Sequence, residues 1–179
     1  MSTAEAQARL DYYQRVRALQ GPELAIEIVA LVEENLRRWD QDSWRRNGQP
    51  EEKYEEFRED PLNPMCRTSF CVAGWVVAID GTRWGLGSQD MVADPSKCNC
   101  TSKSCLNPAH QMYVSDYARQ RLQLTGPQAD RLFRGENTLD DLQLMADTLV
   151  RGGDILDVEL DSDPDDDDED DEDDEGSDD

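Results

Sequence analysis

The chain has 179 residues, 41 of them acidic against 18 basic, and a net charge of -23. The acid excess is concentrated: residues 154–179 contain 18 Asp and Glu and no Lys or Arg, so residues 1–153 carry only -5, an ordinary acidic body sized for one domain. No apolar segment follows a basic start, and the longest uncharged apolar run, Phe70 to Ile79, is too short to span a bilayer. Both point to a cytosolic protein that uses no membrane.

Ser2 and Glu5 match a capping box, and Leu10, Tyr13 and Val16 then give a modest apolar face that stops at Gly21. Pro22 opens a stronger helix, because Leu24, Ile28, Leu31, Val32, Leu36 and Trp39 recur at helical spacing while Glu23, Glu27, Glu34 and Arg38 fall elsewhere. Residues 40–65 are charged and broken by Gly48, Pro50, Pro61 and Pro64, which predicts a long connection with a short helix around Tyr54 and Phe57. The run Phe70 to Ile79 suits a buried helix or a buried strand. Its string Val76, Val77, Ala78, Ile79 favours a strand, but Gly74 and Ala78 form a small-residue face and every neighbouring element is helical, so a helix is expected.

Residues 82–113 hold Gly85, Gly87, Pro95, Pro108 and three cysteines with little periodicity, and predict a long loop that something pins. Ser115 is expected to cap a helix through Leu122, and Gly126 with Pro127 starts another carrying Ala129, Leu132 and Phe133 before a stop at Gly135. Thr138 and Asp141 form a variant capping box ahead of Leu139, Leu142, Met145, Ala146 and Leu149, and Gly152 with Gly153 ends that helix. The fold class expected is all-α: a compact bundle of five or six helices over 1–153 and a polyacidic tail over 154–179. Within the tail Asp165, Asp166, Asp167, Asp168, Glu169, Asp170, Asp171, Glu172, Asp173, Asp174 and Glu175 form an unbroken run that repels itself and buries nothing, so disorder is expected there.

Two blocks carry a family resemblance. "CRTSFCVAGWVVAIDG", from Cys66, resembles the signature C-G-T-x-x-C-[IVL]-A-G-W of small uncharacterised helical proteins of actinobacteria and their phages, with Arg67 where the group has glycine. "LQLTGPQADRLF", residues 122–133, resembles a second block of that group, a leucine-glycine-leucine turn before a helix. The resemblance implies a compact, mostly helical cytosolic protein and carries no activity with it. The Cys98 to Cys105 loop and the tail stand outside it.

Five cysteines in a reducing compartment read as free thiols or metal ligands before disulfides. Cys98, Cys100, Cys105 and His110, the only imidazole, offer three thiolates and a ring nitrogen within thirteen residues, a donor set that suits structural zinc. The C-x-C spacing and the missing second pair leave free thiols on the loop as the competing reading, beside a mixed site that adds Cys66 or Cys71. Cys71 shares a helix side with Gly74 and Ala78 next to Trp75, and packing is its expected role. A catalytic Cys71 assisted by His110 is the enzymatic alternative. Arg37, Arg38, Arg45 and Arg46 interleave with Trp39 and Trp44, the chemistry of phosphate contact and base stacking, or equally of a helix end that favours cations.

These readings converge on a non-enzymatic interaction protein, accessory to an actinobacterium or phage. Its tail mimics nucleic acid or steers the body toward a basic protein partner, an attraction screened over about 10 Å at 0.1 M salt. The tail equally suits shielding of the arginine and tryptophan element, loose Mg or Ca collection, or simple solubilisation. A zinc-stabilised nucleic-acid-binding regulator masked by the tail is the second reading.

Overall fold

Apolar residues at 24, 25, 28, 29, 31 and 32 give the helix Gly21–Glu34 (α2) a wide buried face, which packs against both Val72–Asp80 (α3) and Leu139–Val150 (α6). The computed structural model describes residues 3–36, 39, 41, 71–84, 90–98 and 107–160, and the backbone alone of 46–47 and 68–69. Among them the fold is mostly helical, with six α-helices. Thr3–Ala18 (α1) packs on α3, as does Val114–Arg121 (α4), and Gly126–Leu132 (α5) meets a short 3-10 helix at Ile155–Asp157. No described helix is long and apolar enough to cross a membrane.

The run around Trp75 is helical, and almost all of it is buried. Seven of the nine α3 residues, Trp75 the bulkiest, are closed off by α1, α2 and α4. Such a helix has no polar face for periodicity to reveal, which is why its sequence also reads as a strand. Gly81 ends it at φ 65, in the left-handed region where a side chain is strained, and the amides of Gly81 and Thr82 close back onto Ala78 and Val77.

Four details depart from expectation. Helix α2 stops at Glu34 and does not reach Leu36, which is half exposed, or Trp39, which lies beyond the helix. Asn35 ends it locally: its backbone N–H donates to Val32 O at 3.0 Å and its side-chain amide to Leu31 O at 2.8 Å. Helix α4 begins at Val114 without a side-chain cap, so Ser115 sits inside the first turn. A strand runs straight into this helix, and Val114 N–H is already satisfied by Asp90 O at 2.9 Å.

That strand is the third departure. Within 82–113, Met91–Ala93 (β3) pairs antiparallel with Gln111–Tyr113 (β4) in the register Val92↔Met112, and Trp84 bridges to the other side of Val92. A second ribbon joins Arg46–Asn47 (β1) to Thr68–Ser69 (β2). Strands of two or three residues are too short to show alternation, and their pairing is set by partners about twenty residues away.

The fourth concerns the domain boundary. Gly152 turns the chain at φ 77, but the body continues: Ile155 is fully buried, Leu160 is 7% exposed, and Asp154 caps the 3-10 helix by accepting from Leu156 N–H. The folded unit therefore extends to at least Leu160, and the acidic tail proper starts later than residue 154. Ser2, the segment around Tyr54 and Phe57, and residues 161–179 lie outside the described residues.

Candidate functional site

The β3–β4 ribbon positions two of the four candidate metal donors. At its closed end Asp94 N–H donates to His110 O at 2.9 Å, and Cys98 N–H donates to Asp94 O at 2.8 Å, so the backbones of Cys98 and His110 meet through Asp94. The turn between them is set by Asp94, whose carboxylate accepts from the Ser96 hydroxyl at 2.6 Å, the Ser96 N–H at 2.9 Å and the Lys97 ammonium at 3.0 Å. Those donors, Ser96 first, hold the Asp94 carboxyl down at about 2. It is consumed by its own turn.

Cys98 is 8% exposed, and the Arg83 guanidinium donates to its sulfur at 3.7 Å. The Asn107 side-chain amide faces His110 Nε2 at 3.2 Å. Because that amide nitrogen only donates, the Nε2 lone pair of a neutral His110 ring accepts this hydrogen bond, which a metal at Nε2 would have to displace. Among the described residues no group of three His, Cys, Asp or Glu is arranged to hold a metal ion. Cys100, Cys105 and Cys66 lie outside them.

Cys71 is placed differently from the sequence reading. It precedes α3 as its N-cap, 1% exposed, with Sγ accepting from Gly74 N–H at 3.4 Å. Gly74 and Trp75 are buried and Ala78 partly so. The thiol thus occupies the place a serine hydroxyl usually takes at a helix start, and periodicity misses this because a cap lies off the helical repeat.

Of the arginine and tryptophan element only Trp39 is described with its side chain; Arg46 is described by its backbone in β1, and Arg37, Arg38, Trp44 and Arg45 lie outside. Trp39 Nε1 donates to Gln41 Oε1 at 3.1 Å, the same oxygen accepts from Val72 N–H at 3.3 Å, and Gln41 Nε2 donates to Leu132 O at 3.2 Å. Gln41, 8% exposed, therefore joins the start of α3 to the end of α5. Trp39 is engaged in the body rather than presented as a free stacking ring.

A second polar cluster went unseen in the sequence. Asp80, last residue of α3, receives Arg121 in two parallel bonds, Nε to Oδ2 at 2.6 Å and Nη2 to Oδ1 at 3.0 Å, and the Tyr117 hydroxyl donates to Oδ2 at 2.8 Å. Thr82 donates to Tyr117 at 2.8 Å, Arg121 also donates to Arg17 O at 2.9 Å, and Arg17 Nε donates to Ile79 O. Burial first, and the Asp80 carboxylate next to it, push the Tyr117 phenol up to about 12, while the bonds to Asp80 raise Arg121. Every donor aimed at Asp80 comes from the fold itself, so the cluster joins α1, α3 and α4.

The turn before α5 holds Gln123 at φ 55, the one described residue other than glycine in the left-handed region. Its side chain lies against Gly21, also left-handed at φ 59, where a Cβ would come within 2.9 Å of Gln123 Oε1. Next to it Thr125 and Gln128 form a full capping box for α5, a T-x-x-Q signal available in the sequence.

No family model, no curated protein and no solved structure matches the chain.

Proposed function

We propose that the protein is a non-enzymatic accessory protein that binds a basic protein partner through its C-terminal polyanion, while the helical body docks or presents it. One observation carries this reading: after Leu160, the last described residue, the chain holds 15 acidic residues and no basic ones among 19. Such a segment has no apolar surface to bury and a charge density resembling a nucleic-acid strand, so its chemistry suits basic surfaces. A role in an actinobacterium or its phages fits the resemblance of the two sequence blocks. The left-handed Gln123 supports that kinship, since it keeps the backbone conformation for which the related turn uses glycine.

A chain ending at Leu160 is expected to lose the partner in a pull-down from cell extract, and the full chain to release it steeply as salt rises. Equal recovery by both chains at all salt concentrations would refute the proposal.

A second reading, a zinc-stabilised regulator that contacts nucleic acid, is favoured by the meeting of Cys98 and His110 at one end of the β3–β4 ribbon. Cys100 and Cys105 lie in the connection between those ends and would complete a Cys3His shell. Native mass spectrometry of freshly purified protein should then show one zinc ion per chain, removed by chelator and absent from the Cys98→Ser variant. A metal-free mass in the untreated protein removes this reading, as does a truncated body that binds neither DNA nor RNA.

A further inference from the structure

We draw no further inference here: the strongest candidate, the buried Asn137 side chain in the turn between α5 and α6, whose Nδ2 donates to Arg131 O at 2.8 Å and Leu132 O at 3.1 Å while its Oδ1 meets no donor among the described residues, carries nothing because nothing in the structure shows what ligand that oxygen would take.

Discussion

A chain ended at Gly153 should be several kcal/mol less stable than one ended at Leu160, although the two differ by only seven residues. Those residues include Ile155, fully buried, and Leu160, nearly so. Removing a buried Ile or Leu side chain costs about 2–5 kcal/mol through lost burial and the cavity left behind, against a total stability of about 5–15 kcal/mol for a domain. Losing both anchors also uncovers the apolar faces of α5 and α6. Urea unfolding followed by tryptophan fluorescence, to which the buried Trp75 contributes, should show a large drop in midpoint for the chain ending at Gly153 and little change for the chain ending at Leu160. Ile155→Ala in the full chain should reproduce about 3 kcal/mol of the loss. Matching midpoints for the two truncations would mean that residues 154–160 are dispensable. Any test of the tail needs this distinction, because a deletion from residue 154 removes part of the core with the charge.

The second large effect is expected at Asp80. Asp80→Asn keeps the shape but removes the anion that Arg121 meets in two bonds and that Tyr117 donates to. Breaking one partner of a buried ion pair costs about 3–5 kcal/mol, and because the Arg121 side chain keeps 19% of its exposure a loss of about 2–3 kcal/mol is expected. The same cluster makes the protein sensitive to alkali. The folded state holds the Tyr117 proton up to about 12, whereas the unfolded chain releases it near 10. Its stabilising contribution is therefore complete below pH 10 and is lost as pH rises toward 12. Tyr117→Phe should be less stable at neutral pH through the lost hydrogen bonds, and its stability should fall less between pH 10 and 12. A Tyr117→Phe profile parallel to the wild type across that window would assign the alkaline loss to other groups.

Helices whose two faces differ were legible in the sequence. The 3.6-residue repeat of α2 and the Thr138 and Asp141 pair at the head of α6 each encode an element locally, and the structure places a full capping box at the latter. The end of α2 was not legible, because Leu36 and Trp39 continue the repeat while Asn35 closes the helix through its own side chain. The ribbon inside 82–113 was hidden because its strands acquire meaning only when paired. Of the candidate site, the donor types Cys98 and His110 were visible as chemistry, but their meeting through Asp94 depends on register. The Asp80, Tyr117 and Arg121 cluster draws on positions 80, 117 and 121, and Gln41 acts between α3 and α5. Such long-range polar contacts leave no spacing signal in one chain.

The packing of α2 against α6 has a consequence for how the protein comes into being. These helices lie more than a hundred residues apart in sequence, so although α3 can cover part of the apolar face of α2 earlier, the part that meets α6 stays open until α6 has been made. During synthesis, Leu24, Ile28, Leu31 and Val32 emerge early and wait. Contacts of such long range slow folding and leave sticky surface open to aggregation in the meantime. The acidic residues that follow Leu160 are translated after α6, so their charge arrives too late to keep that nascent surface in solution. A nascent chain stalled before residue 139 is therefore the form most in need of a chaperone.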